Sequence, residues 1–196
     1  MGNPASAGAA KRGYHHGDLR AALIREGLRR LATATGDELS LRELARAAGV
    51  SATAVYRHFP DKAALMAALA REGHDRLAEA QRQAAAGAAG AGGAMAAFAA
   101  TGRAYIRFAL ANPALFRLAF SAAPDGPGGA PHEAMTMLHG HVAATQGLDP
   151  WRGSADTRTL RAWALVHGLA MLMLDGQVPA DDAIIDAVVD AGVPQG

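Results

Sequence analysis

After Gly17 the apolar residues recur at the three- and four-residue spacing of a helix almost to the end of the chain, and no alternating run of β-branched residues bounded by turns interrupts them. That pattern restricts the chain to an all-α fold. Its 196 residues, 51% of them apolar, suffice for a buried core in one domain or two small ones. Cysteine is absent, which removes disulfide scaffolds, thiolate nucleophiles and Cys-containing zinc sites and fits a reducing cytoplasm. The longest uncharged stretch, residues 84–102, holds 11 Ala and 5 Gly among 19 residues, so it is too weakly hydrophobic to span a bilayer. Residues 1–10 are a Gly/Ala/Ser/Pro tract that reads as a disordered leader and not as an export signal. A cytoplasmic location and no membrane partner are therefore expected.

Charge divides the chain. Residues 1–82 carry 13 Lys/Arg against 9 Asp/Glu, and residues 83–196 carry 6 against 9. The first part is therefore the one suited to a polyanion. The helical pattern divides the chain elsewhere, into residues 1–60, an arm and three short helices that form one unit, and residues 61–196, a longer helical part.

In the first part the periodicity predicts a helix over about 18–34, with Asp18 as N-cap and Gly36 as its stop. Leu23, Ile24, Gly27, Leu28 and Leu31 form its inner stripe, and Arg20, Arg25, Arg29 and Arg30 stay outside. Ser40 and Glu43 form a capping box for a second helix with Leu41, Leu44, Ala45 and Ala48 inward, and Gly49 stops it. Ser51 caps a third helix that must end before Pro60. Asp61 starts a longer helix to about Gln83, with a break expected between about 87 and 93. Further helices are expected at about 94–111, 113–122, 131–146, 155–175 and 180–191.

The second and third helices have the spacing of a helix-turn-helix, whose second helix lies in the major groove of DNA. At about 100° per residue, Val55 and Phe59 share the inward face and Thr53 and Arg57 point outward. Ala54 and His58 flank them on one side, Ala52 and Tyr56 on the other. Thr53 and Arg57 have the chemistry to reach base edges, while Tyr56 and His58 have the length to reach phosphates. Lys62 sits in the first turn of the next helix, where the dipole also favours a phosphate. With Ser40, Arg42, Ser51 and Ala52 these make up the candidate DNA-facing set. Spacing alone leaves a second reading open, in which the hairpin merely packs and the chain is a ligand-binding or enzyme-like helical protein.

The stretch Leu41-Arg42-Glu43-Leu44-Ala45, Ala48-Gly49-Val50-Ser51 and Val55-Tyr56-Arg57-His58-Phe59-Pro60-Asp61-Lys62-Ala63-Ala64-Leu65 resembles the N-terminal signature of the TetR family of transcriptional regulators, over about residues 17–70. The resemblance implies a homodimer of all-helical subunits. Each would have a three-helix DNA-binding domain at its N-terminus and a larger C-terminal helical bundle for dimerisation and, usually, small-molecule binding. By position it makes Tyr56 and Lys62 phosphate contacts, with His58 a third, and places Ala52, Thr53 and Arg57 among residues that read bases. Tyr14-His15-His16-Gly17-Asp18-Leu19 together with Trp163-Ala164-Leu165-Val166-His167-Gly168 resembles a subgroup with a Trp…His-Gly motif in its C-terminal domain. Many members carry Gly or a bulkier residue where Thr53 and Ala54 stand, so no operator sequence transfers. The arm residues Lys11, Arg12, Tyr14, His15 and His16 could order along DNA.

In the second part Phe98, Tyr105, Phe108, Phe116, Phe120, Met135, Met137, Leu138, Trp163 and His167 supply apolar surface with a few polar handles, which suits a pocket for a small apolar effector. Each also reads as ordinary core, so a DNA-binding protein without an effector stays open as well. The chain is apolar nearly all round from Ala162 to Leu174, and Ala183, Ile184, Ala187, Val188 and Ala191 repeat at helical spacing. The last two helices can therefore form a four-helix homodimer interface. His132, His139 and His141 do not make a metal site: His139 and His141 lie about 200° apart on a helix, and His132 and His139 about 10.5 Å apart along it. Asp175, Asp181 and Asp182 read as helix ends, not as paired catalytic carboxylates. No catalytic constellation or cofactor fingerprint is present, so the expectation is a binding protein without a cofactor.

Overall fold

The computed structural model describes residues 16–33, 39–121, 140 and 155–192. In chain order they form α1 (His16–Thr33), α2 (Leu41–Ala47), α3 (Ala52–Tyr56), α4 (Lys62–Ala111), α5 (Pro113–Ser121), α6 (Ala155–Leu174) and α7 (Asp182–Ala191). No strand occurs among the described residues, and no helix among them is long and apolar enough to cross a membrane. The expected stop at Gly36, the expected helix at about 131–146 apart from residue 140, and the residues His132, Met135, Met137, Leu138, His139 and His141 lie outside the described residues.

Local chemistry sets each boundary in the N-terminal part. Helix α1 begins at His16, so Asp18 lies inside its first turn and not at the cap expected from sequence. At the start of α2 the Glu43 N–H donates to Ser40 Oγ at 3.1 Å, while the Glu43 carboxylate accepts from Arg30 of α1 at 3.4 Å. The capping box is thus half local and half tertiary. Gly49 takes φ +66°, and the Gly49 and Val50 N–H groups donate to the Arg46 and Ala45 carbonyls at 3.2 and 3.0 Å. This is the paired bonding that closes a helix on a left-handed residue, a conformation that penalises any side chain with a Cβ. Ser51 then caps α3 by accepting from the Ala54 N–H at 3.2 Å. The helix proper ends at Tyr56, earlier than the approach of Pro60 alone requires. The His58 and Phe59 N–H groups both donate to the Val55 carbonyl, at 2.9 and 3.0 Å, and wind the chain on to Phe59.

Asp61 caps α4 through the Ala64 N–H at 2.7 Å. The helix does not stop near Gln83. It continues past Gly87 and Gly90 and bends at Gly93, whose φ of 65° and ψ of −157° are non-helical. Alanine, the best helix former, dominates the tract and carries the helix past glycines that each cost about 1 kcal/mol.

Two apolar clusters result. The N-terminal one joins Leu19 and Leu23 of α1, Leu41 and Leu44 of α2, Val55, Phe59 and the start of α4 through Leu65, Ala68 and Leu69. Gly27 lets α1 and α4 approach, since a Cβ there would stand 3.0 Å from Leu69 Cδ2. The C-terminal cluster joins Leu77, Ile106, Phe116, Leu169, Ala170 and Ile185 from α4, α5, α6 and α7. Helix α5 belongs to both: Phe116 and Phe120 pack in the second cluster and Leu118 leans on the first. On the outside, Arg103 pairs with Asp186 at 2.7 Å and with Asp190, Arg107 pairs with Asp182 at 2.8 Å, and Arg117 pairs with Asp175.

Candidate functional site

The exposed face of α3 follows from what its other face buries. Val55 and Phe59 are fully enclosed in the N-terminal cluster, which turns Ser51, Ala52, Thr53, Tyr56 and Arg57 to solvent and leaves Ala54 and His58 half-buried. Tyr56 is 44% exposed, a large aromatic surface left uncovered by its own fold. Arg42 of α2 and Lys62 in the first turn of α4 are exposed too. Ser40 and Ser51 are also exposed, and their hydroxyls are already engaged as caps. The structure adds one cation to this region that periodicity had assigned only to the outside of α1: the Arg20 guanidinium lies over the Phe59 ring, 5.4 Å from its centroid. The contact links residues 39 positions apart, beyond any helical spacing. Lys11, Arg12, Tyr14 and His15 lie outside the described residues, as does the side chain of His16.

The second site is a cluster of rings. The Tyr105 hydroxyl lies 2.8 Å from His167 Nδ1 and accepts from Trp163 Nε1 at 3.2 Å. Trp163 and His167 stand one turn apart on α6, so both reach the same phenol of α4. Phe116 and Phe120 of α5 close the group, with ring centroids 5.5 Å and 6.0 Å from Tyr105 and 5.6 Å and 5.2 Å from His167. Burial pushes the Tyr105 phenol pKa upward, against a smaller opposing effect of the Trp163 hydrogen bond. Burial also pushes the His167 imidazole below its ordinary value. Both shifts favour the neutral form, and the polar handles of this site are accordingly hydrogen-bonding groups rather than charges.

Five of the sequence candidates are thus brought together: Tyr105, Phe116, Phe120, Trp163 and His167. Phe98 and Phe108 are half-buried on α4, and neither makes a ring contact to this group among the described residues. Sequence reasoning missed His74, buried in α4 with its ring edge-on to Phe120 at 5.1 Å. Its neighbours Glu72 and Asp75 gave it the look of a solvated face. Gln81, Arg158 and Thr159 are also buried in this half of the molecule, again without a periodic signal.

Comparison with known proteins bears on both halves. A family model described as bacterial regulatory proteins, tetR family, matches residues 24–69, and one described as tetracyclin repressor-like, C-terminal domain, matches residues 98–195. Among solved structures, a protein of unknown function from Rhodococcus sp. RHA1 is 36% identical, with 94% of this chain and 100% of that one covered and a TM-score of 0.79. A TetR family transcription regulator from Marinobacter aquaeolei VT8 shares the fold at 18% identity, over 88% of this chain and 92% of that one, with a TM-score of 0.62. The multidrug binding protein EbrR, solved in complex with imidazole, shares it at 21% identity, over 90% and 96% of the two chains, with a TM-score of 0.54. No curated protein sequence matches.

Proposed function

The chain belongs to the TetR family and is a DNA-binding transcriptional regulator, and from that premise we propose that it is a cytoplasmic, homodimeric repressor released from a pseudo-palindromic operator by a small apolar ligand. One observation carries the DNA-binding mode: burial of Val55 and Phe59 leaves Thr53, Tyr56 and Arg57 together on the open side of α3. In this reading Ala52, Thr53 and Arg57 meet base edges, and Tyr56, His58 and Lys62 meet phosphates, with Ser40, Arg42 and Ser51 at the edge of the contact. Two such faces, one per protomer, are set at the half-site spacing by a dimer formed through α6 and α7. The exposed Leu160 and Leu172 of α6 support that interface.

The ring cluster is the proposed effector end. The Trp163, His167 and Gly168 motif would place the chain in the subgroup its sequence resembles. Phe98, Phe108, Met135 and Leu138 are proposed to complete the pocket around the five clustered rings. A ligand wedged against Phe116 and Phe120 would shift α5, and Leu118 on that helix bears on the N-terminal core. Release requires that the ligand bind the DNA-incompetent arrangement more tightly than the competent one. The role is that of a binding protein, with no catalytic step.

The test is binding of the purified protein to the DNA flanking its own gene and to a scrambled duplex, from about 50 to 300 mM salt. The expected result is a complex of two chains per duplex that survives the higher salt only on the native sequence. Lys62→Ala should weaken binding to every sequence and lower the salt slope by about one. Arg57→Ala should relax preference at one position per half-site, at a cost of about 1–3 kcal/mol. Equal, salt-labile binding to both duplexes, unaffected by either substitution, would overturn the reading.

A further inference from the structure

Two of the arginines on α1 spend their donors within the protein. Arg29 donates to both carboxylate oxygens of Glu26, at 2.8 and 2.6 Å, and Arg30 donates to Glu26 at 2.8 Å and to Glu43 of α2 at 3.4 Å. Arg20 does not. It is exposed in the second turn of α1 and makes no hydrogen bond or ion pair among the described residues. Glu72, on the stretch of α4 beside it, accepts from Arg76 at 2.8 Å instead.

What Arg20 does make is the contact with Phe59, a buried residue whose ring takes the guanidinium 5.4 Å from its centroid. Attraction to the ring uses the charge of the guanidinium and none of its five N–H groups. The side chain is restrained while its hydrogen-bonding fork stays open, which lowers the ordering cost that a long side chain meets on binding. Its place matters as well. The Phe59 N–H donates to the Val55 carbonyl at 3.0 Å, so Phe59 lies where the α3 winding closes, between the exposed Tyr56 and the exposed Lys62 along the chain. Leu19, beside Arg20, packs in one cluster with Phe59 and Leu65. The start of α1 is thus fastened to the same corner as the residues that meet phosphates in the reading above.

We propose that Arg20 is a further DNA contact, contributed by α1 from outside the helix-turn-helix and restrained by the Phe59 ring; this rests on the α3 docking given under the proposed function. What it binds is a phosphodiester of the backbone that flanks the groove α3 enters, whose two free oxygens match the guanidinium fork. Such a contact adds affinity and register and carries no base information. Lys62 of α4 and Arg20 of α1 then hold the backbone from two different helices.

The test is fluorescence anisotropy of the full chain on a labelled duplex of the DNA flanking its own gene and on a scrambled duplex, from about 50 to 300 mM salt. Arg20→Gln should weaken binding to both duplexes about tenfold and lower the salt slope by about one, leaving the ratio between the duplexes and the thermal midpoint of the free protein unchanged. Arg20→Lys keeps the charge and loses the fork, so it should keep the slope and recover only part of the affinity. Arg29→Gln removes the same charge about 13.5 Å further along α1 and should change neither quantity. Wild-type affinity and slope in Arg20→Gln, with Lys62→Ala losing its unit of slope, would overturn the proposal and leave the α3 docking standing. Unchanged slopes in both variants would overturn the docking and the proposal together. An equal loss in Arg29→Gln would reduce the effect to net charge, and a loss confined to the native duplex would make Arg20 a base reader; either overturns the phosphate contact.

Discussion

The two halves of the molecule bury different things. Around α1, α2 and α3 the core is aliphatic apart from Phe59, and every buried polar side chain among the described residues lies elsewhere: His74, Gln81, Thr101, Arg158 and Thr159. The C-terminal half encloses those groups together with the Tyr105, Trp163 and His167 chain of hydrogen bonds. A polar group taken out of water is costly unless it is bonded, so a fold that keeps several must place a partner beside each of them. The N-terminal half offers its chemistry outward, and the C-terminal half holds its chemistry inside. That division suits a protein whose one partner is a macromolecular surface and whose other, in the reading proposed above, is a small molecule.

The largest effect that could break the comparison is expected at Phe59. Phe59→Ala removes the largest side chain of the N-terminal cluster and should cost about 3–5 kcal/mol. Amide exchange should lose protection through α1, α2, α3 and the first turns of α4, with operator binding lost in parallel, while the α6 and α7 amides stay protected. If protection falls equally in α6 and α7, the two cores are one cooperative unit and the contrast between them has no energetic meaning.

A smaller effect comes from making one substitution in both halves. Tyr105→Phe removes the hydroxyl shared by Trp163 and His167 and leaves a half-buried indole donor without its acceptor. Urea denaturation should show a loss of about 1–2 kcal/mol, with a shift in tryptophan emission. Tyr56→Phe, on an exposed side chain, should leave stability within about 0.5 kcal/mol and show itself only in weaker binding to all duplexes. Equal stability losses at the two tyrosines would contradict the inside and outside roles assigned to them.

Legibility in the sequence follows the same divide. The N-terminal half is written in local terms: Ser40, Ser51 and Asp61 act as caps within three residues, Gly49 as a stop, and the Val55 and Phe59 stripe repeats at four. Such signals need no knowledge of the rest of the chain. In the C-terminal half the sequence nominates rings one by one without saying which meet, because Tyr105 and His167 are 62 residues apart. His74, with acids on either side, carries no mark of burial at all. The surface arginines show the same limit. Asp181 is legible as a cap and accepts from the Ala183 N–H at 2.7 Å, whereas Asp182 and Asp186 become partners of Arg107 and Arg103 only through the packing of α7 on α4. The Gly93 bend is legible as a region and not as a residue, since four glycines compete and only tertiary structure selects among them.

The smallest effects separate the halves by pH. Burial lowers the His167 pKa below its ordinary 6.5, so the folded protein resists protonation that the unfolded chain accepts. The stability tied to the neutral imidazole is complete above pH 6.5 and is lost as pH falls below it, by at most about 1.4 kcal/mol per pH unit. Urea midpoints at about pH 7.5 and 5.5 should therefore converge in His167→Gln relative to the parent. On α1 the sign is shared but the window differs. Hydrogen bonds from Arg29 hold the Glu26 carboxyl at about 2, below its ordinary 4.5, so its contribution is complete above pH 4.5 and fades only toward pH 2. That pair is on the surface and salt screens it, so its effect is the smaller of the two. Parallel losses in the parent and His167→Gln between about pH 7.5 and 5.5 would show that the imidazole is no more constrained than a surface residue, and the contrast between an inward and an outward chemistry would fail at the group where it is most sharply drawn.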